Sequence, residues 1–358
     1  MTPQTVREIN ERVGRLRRVR LIHRPTPFRK LERLSAALGG PAIYIKRDDL
    51  TGLAFGGNKS RKLEFIMGDV LAKKADAIVT WASLQSNWCM QTAAAAREFG
   101  VRPVLILFRT SDLEPGFDGN LLLDVLLEAD IRIKDAEKGK VVKAGTAMSV
   151  LEEAAVELRA AGLKPYLAPV GGSLPMGDME LPLGAVSYVD AFAELAGQAA
   201  EAGVRLDAIV HSTGSGGTQA GLIVGARAMA EACRVVGISV SDPRGPFAQD
   251  VLAIARATVD ALGLRLTVRP KDVVVFDEYI RQGYGVVDGE VAETIRMIFQ
   301  KEGIVLDPVY TAKAMAGLID LVRKGFFKPG ENVVFFHTGG TPALFPHRGK
   351  ILEFLAGS

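Results

Sequence analysis

The chain has 358 residues, enough for two modest domains or one large α/β unit; 48% of them are apolar and only 7% aromatic. Lysine and arginine number 44 against 41 aspartates and glutamates, a formal charge of +3, and the two signs are interspersed, so no nucleic-acid-binding surface is implied. Two cysteines (Cys89, Cys233) form neither a disulfide framework nor a metal-ligand spacing, the four histidines (His23, His211, His337, His347) are scattered and predict no metal site, and no apolar run approaches the ~20 residues that span a bilayer.

In chain order, residues 7–20 come first, a basic segment that contains Glu8 and Glu11 and lacks an apolar core. It predicts a solvated N-terminal helix rather than a targeting peptide, and with reduced cysteines a cytoplasmic protein is the expectation. Short β-rich runs at 43–45, 77–80, 104–107 and 131–133 then alternate with amphipathic stretches at 87–99 and 147–160. A helical pattern at 185–202 is followed by strands at 209–210, 235–238 and 273–275, a helix at 290–301 and a last strand at 333–336. This alternation predicts an α/β fold with parallel-rich sheets covered by helices on both faces, with ligands bound in the crevice beyond the carboxyl ends of the strands. No linker or repeat divides the chain. The pattern alone suggests a small domain at 63–170, returned by the turn Pro169-Val170-Gly171-Gly172-Ser173 to a larger one made of 1–62 and 171–358.

Two glycine-rich elements fall where strand ends should be. Gly56-Gly57-Asn58-Lys59 places one amine in a turn that permits close backbone approach. It reads either as a plain turn with a solvated helix-start lysine, or as a buried amine whose pKa is lowered. Thr213-Gly214-Ser215-Gly216-Gly217-Thr218 follows a β run and precedes a helix near Gln219, so its backbone N–H groups, its hydroxyls and the helix dipole can converge on one anion. Its spacing is neither that of a dinucleotide fingerprint nor that of a Walker loop. An amine paired with a phosphate-monoester cradle points to a phosphorylated aldehyde held covalently, and pyridoxal phosphate fits. Ser86, in Ser83-Leu84-Gln85-Ser86-Asn87, stands at a helix entrance, as an N-cap or as a crevice group. Thr338, in His337-Thr338-Gly339-Gly340-Thr341, can face the crevice as a hydrogen-bond partner. Tyr284, flanked by Gly283 and Gly285, and Tyr310, in Asp307-Pro308-Val309-Tyr310, are further candidates.

The run Gly56-Gly57-Asn58-Lys59-Ser60-Arg61-Lys62-Leu63-Glu64-Phe65 resembles the lysine segment of the D-cysteine desulfhydrase and 1-aminocyclopropane-1-carboxylate deaminase family. Gln85-Ser86-Asn87, the loop 213–221, Asp307-Pro308-Val309-Tyr310 and the tail 338–345 resemble it too, in the family's order and over nearly the whole chain. The resemblance implies the two-domain tryptophan-synthase-β-like fold (fold type II), with pyridoxal 5'-phosphate between a large and a small domain, and a homodimer. It makes Lys59 the Schiff-base lysine and Asn87 the partner of the ring hydroxyl. It gives the phosphate to Thr213, Gly214, Ser215, Gly216, Gly217 and Thr218, and the ring nitrogen to Thr338. It sets Gln85 and Ser86 against the substrate carboxylate or in a proton relay, and Tyr284 and Tyr310 over the substrate face.

Deaminases of the family carry glutamate after the tyrosine of their Asp-Pro-Val-Tyr motif, where this chain has Thr311; with Thr338 near the ring nitrogen, this looks like the desulfhydrase branch. A neutral partner suits an elimination in which the leaving group departs as charge builds at Cα. Trp88 replaces the family's usual histidine and is a candidate substrate contact or a packing residue; the segment 174–179 has no assigned role. The expected activity is therefore a pyridoxal-phosphate lyase that α,β-eliminates from a small amino acid such as D-cysteine, giving pyruvate, ammonia and the leaving group. The alternatives are the cyclopropane deaminase, a racemase or dehydratase of the same fold, and a non-catalytic amino-acid-binding module, which would not need Lys59.

Overall fold

Apolar runs buried on both faces form the strands of two sheets. The computed structural model describes residues 5–110, 116–138, 142–229 and 232–357. In it the strands are β1 (Phe28–Lys30), β2 (Ala42–Arg47), β3 (Ala77–Ser83), β4 (Arg102–Arg109), β5 (Asp130–Asp135), β6 (Pro165–Leu167), β7 (Ala208–Thr213), β8 (Arg234–Ser239), β9 (Val274–Phe276) and β10 (Asn332–His337). Among the described residues the larger sheet runs β1-β2-β10-β7-β8-β9 and the smaller β5-β4-β3-β6. Every pairing is parallel except β1 with β2.

All six residues of β7 are buried, as a strand covered on both faces requires. Successive β10 side chains face opposite ways: Val334 and Phe336 join a core with Tyr188 and Phe192 of the helix Leu183–Glu201, and Val333 and Phe335 one with Met315 and Leu318 of the helix Thr311–Arg323. The smaller sheet is layered likewise. Val79, Trp81 and Ile106 pack on Leu151 and Ala155 of the helix Ala144–Ala160, while Ile78 and Leu105 join the core that includes Phe65 and Ala93.

The predicted strands and helices are present. β1 and β6 have no counterpart in the sequence reading: each is three residues long, and β6 starts on a proline, so neither shows a readable alternation. The N-terminal helix is shorter than expected. It spans Val6–Val13, capped by Thr5 and Glu8, and the chain beyond Gly14 is not helical. There the Glu64 carboxylate accepts the Leu21 and Ile22 amides at 2.9 and 3.2 Å and pairs with Arg18. Tertiary bonds thus win over helix propensity.

Candidate active site

The carboxyl ends of β7 and β10 lie side by side, and the lysine turn crosses them. Gly56 has φ 69°, and a Cβ there would sit 2.2 Å from the Asp49 carbonyl oxygen; at Gly57, φ 129°, it would sit 3.0 Å from both the Thr338 carbonyl oxygen and the Gln91 amide. The glycines are therefore required by protein packed against the turn. The Asn58 amide donates to the Thr338 carbonyl at 3.0 Å, the Gln91 amide nitrogen to Gly56 O at 2.6 Å, and Ser60 Oγ to Gln91 Oε1 at 2.7 Å. Lys59 sits in the first turn of the helix Asn58–Ala72, and burial lowers its pKa to about 8. The helix is clamped from behind by Arg61, which donates to Asp48 and Glu194 at 2.8 Å each, while Lys46 donates to Glu194 at 2.6 Å. Arg61, Lys46 and Asp48 are all fully buried, so removing one partner would leave an uncompensated charge.

One turn on, at the i, i+3 position that shares the Lys59 face, the Lys62 amine is buried with no hydrogen-bond partner among the described residues, 5.8 Å from the centroid of the Tyr188 ring. Burial holds its pKa well below the ordinary lysine value, and the Lys59 charge adds to that. The sequence reading gave Lys62 no role. Its signal was a second lysine three residues after Lys59, on the same helix face.

The glycine-rich loop closes on the same place. Gly216, at φ 77°, caps the helix Gly217–Ala228. Asn58 Nδ2 donates to Thr218 Oγ1 at 3.2 Å, joining the lysine turn directly to the loop. Ser173, after the turn 169–173, donates to Ser215 Oγ at 2.9 Å and fills the space a Cβ on Gly217 would need, 2.6 Å from its hydroxyl. The Thr213 hydroxyl is buried and unpartnered. The buried Lys62 amine and the buried Thr213 hydroxyl, neither with a hydrogen-bond partner among the described residues, and the N-terminus of the helix Gly217–Ala228 are the kinds of donor an anionic phosphate requires, so these residues fit the cofactor. Thr338 Oγ1 lies 3.0 Å from Ser212 Oγ, an uncharged pair at the adjoining ends of β10 and β7.

The facing wall comes from the smaller sheet. Ser86 caps the helix Asn87–Glu98, accepting from the Trp88 and Cys89 amides at 3.2 Å each. Asn87 Oδ1 accepts from Asn120 Nδ2 at 2.8 Å, which fixes the amide and leaves its NH2 to donate elsewhere. Gln85 and Trp88 each hold structural bonds in the fold. The Gln85 amide donates to Asp118 O at 3.0 Å and accepts from the Asn120 amide at 2.9 Å, so it fastens the helix Gly119–Leu126. Trp88 is 2% exposed, and its indole N–H donates to Thr80 Oγ1 at 2.7 Å. Trp88 thus joins the hydrophobic core, one residue on from Asn87 and about 100° away around the helix.

The Tyr284 and Tyr310 hydroxyls lie 2.5 Å apart, and Ser83 Oγ is 3.2 Å from Tyr284, so Tyr284 reaches the end of β3 in the smaller sheet. Burial raises the pKa of both phenols, which stay neutral and able to donate. Thr311 does not point at the crevice. Its hydroxyl donates to Asp307 Oδ1 at 2.7 Å, and the amides of Val309, Tyr310 and Thr311 occupy the rest of that carboxylate at 2.8–2.9 Å. A cavity of about 30 Å³ lies among Ser83, Gln85, Thr110, Tyr284, Val309 and His347. A larger hollow of about 160 Å³ near Arg227, Cys233 and Lys271 includes none of these residues.

An amine of lowered pKa, an anion cradle and a neutral phenol pair, set at the strand ends of an α/β fold, define a pyridoxal-phosphate enzyme. Residues 19–339 match the family described as pyridoxal-phosphate dependent enzyme, and the chain belongs to it. It is 40% identical over 91% of its length to the 1-aminocyclopropane-1-carboxylate deaminase of Burkholderia cenocepacia, covering 94% of that protein. It is 38% identical over 94% of its length to the D-cysteine desulfhydrase of Klebsiella pneumoniae, covering 98%. A crystal structure of an ACC deaminase homologue superposes with a TM-score of 0.86 at 38% identity, over 99% of this chain and 100% of the other. The fold is that of the fold type II pyridoxal-phosphate enzymes, and the cofactor is pyridoxal 5'-phosphate.

Proposed function

We propose that this lyase eliminates the Cβ substituent of a small amino acid, D-cysteine being the first candidate, to give pyruvate, ammonia and the released group. The observation that carries the reading is the uncharged Thr338–Ser212 pair at the end of β10, together with a motif carboxylate, Asp307, whose oxygens are engaged by Val309, Tyr310 and Thr311. With no carboxylate offered by this motif, the ring nitrogen meets hydroxyls, and elimination is favoured over ring opening. When bound, the cofactor supplies the electron sink that acidifies the substrate Cα–H.

The residues divide the remaining work. Lys59 holds the cofactor covalently, and its amine, once freed, removes a proton because its pKa of about 8 leaves part of it neutral. Lys62, Thr213 and the loop from Gly214 to Thr218 grip the phosphate, and the Asn87 amide meets the ring hydroxyl. Ser86, held at its helix entrance, binds the substrate carboxylate. Tyr284 and Tyr310 cover the opposite face as orienting or proton-transferring groups. We assign 63–170 to a small domain and 1–62 with 171–358 to a large one. A cytoplasmic homodimer completes the reading, and the exposed Leu126, Phe345 and Leu352 offer an apolar surface for the second copy.

The second reading, cyclopropane deaminase, rests on the B. cenocepacia relative, which is 40% identical. Identifying the keto acid from a panel of D-cysteine, L-cysteine, L-cysteate and 1-aminocyclopropane-1-carboxylate separates the two. Pyruvate from a three-carbon substrate is the expected result and fixes both leaving group and hand. 2-Oxobutyrate from the cyclopropane refutes the hydroxyl argument.

A further inference from the structure

Lys313 is fully buried on the helix Thr311–Arg323, yet its amine bonds to no carboxylate among the described residues. It donates instead to two backbone carbonyls, Ile280 O at 3.0 Å and Gly283 O at 2.7 Å. Burying an ammonium is costly, and a charge-assisted bond to a carbonyl is among the stronger neutral-acceptor bonds. Those carbonyls lie four residues and one residue before Tyr284, on a segment that needs restraint. Arg281 sits at φ 59°, a left-handed conformation unfavourable for a side chain, and Gly283 and Gly285 flank the tyrosine at φ 130° and 74°. The same helix begins right after Tyr310, whose hydroxyl lies 2.5 Å from that of Tyr284. One helix therefore presents one phenol and, through Lys313, ties down the loop that presents the other.

We propose that Lys313 is a positioning residue that holds the 280–285 loop so that the Tyr284 hydroxyl meets Tyr310 and Ser83 over the crevice. The inference rests on the reading of Tyr284 as a group over the substrate. Among the described residues the Lys313 amine donates to neither the lysine turn nor the phosphate loop, so cofactor loading is expected to be independent of it.

The test is a double-mutant cycle on the cofactor-loaded enzyme with K313M, Y284F and the double variant, with K313Q carried in parallel as a second replacement should K313M not fold. Cofactor absorbance and dissociation constant serve as the check on folding. K313M is expected to load cofactor as the wild type does and to lose about 100-fold in kcat, the scale of a reacting group displaced by ~1 Å, with a smaller change in KM. In the Y284F background the same replacement should cost little more, because the two act through one hydroxyl. Losses that multiply in the double variant overturn the proposal, since Lys313 would then act independently of Tyr284. A K313M protein as active as wild type overturns it as well. Full activity in Y284F alone overturns the placing of Tyr284 over the substrate, and the Lys313 proposal falls with it.

Discussion

Replacing Lys62 with methionine should make the empty protein more stable and the loaded protein harder to form. The amine is buried, lacks a hydrogen-bond partner among the described residues and lies 5.8 Å from the centroid of the Tyr188 ring. Leaving such a group unsatisfied costs about 1–3 kcal/mol, and methionine fills a similar volume with no polar atom. The cofactor-free K62M protein should therefore unfold at higher urea, by about that free energy. The sign of the pH dependence follows from the lowered pKa. Between the folded-state pKa of Lys62 and the ordinary value of 10.5 the unfolded chain binds more protons, so wild-type stability rises with pH across that window. The advantage of K62M is widest below the folded-state pKa and closes toward 10.5. Cofactor binding goes the other way. Loss of one charge-assisted bond to the phosphate, about 1.5–3 kcal/mol, weakens affinity roughly 10- to 150-fold in an absorbance titration of the apoprotein. A less stable apoprotein would show that the amine has a partner. Unchanged affinity would show that it does not see the phosphate.

Two further outcomes follow from the same geometry. The Lys59 amine attacks an aldehyde only when neutral, so the rate at which apoprotein takes up pyridoxal phosphate should climb with pH and level off above about 8; stopped-flow absorbance giving a rate that keeps climbing past that value toward 10.5 would mean burial does not depress the lysine. Trp88→Phe should lose the 2.7 Å bond to Thr80, at about 0.5–1.5 kcal/mol of stability in urea unfolding, with kcat/KM unchanged; a selective rise in KM would return Trp88 to the substrate.

What could be read from the sequence was what the backbone demands. The turn at Gly56-Gly57 and the loop at 213–218 are visible because left-handed or crowded backbone selects glycine, and those glycines stand within three residues of the groups that matter. Strands such as β7 and β10 were legible because burial on both faces selects continuous apolar runs. The single polar side chains were not legible. Ser173, Asn120, Ser212 and Lys313 acquire their importance from what is opposite them across 42, 33, 126 and 30 residues of chain, a distance no local pattern encodes. Lys62 came nearest to being found, since it lies on the Lys59 face of a helix.

The substitution that singled out the elimination branch also changes meaning in three dimensions. Read along the chain, Thr311 stands where the deaminases place a carboxylate beside the ring. In the fold its hydroxyl closes onto Asp307, the residue four positions earlier, and serves the turn that starts the helix Thr311–Arg323. The neutral character of the site therefore rests on Thr338, whose hydroxyl faces Ser212 and whose carbonyl accepts the Asn58 amide of the lysine turn at 3.0 Å. On the proposed reading the Thr338 hydroxyl would meet the ring nitrogen, while its carbonyl seats the lysine turn. Its backbone role survives any side chain, whereas its hydroxyl role does not, so exchanging that hydroxyl for a carboxylate would alter the reaction while leaving Lys59 in place.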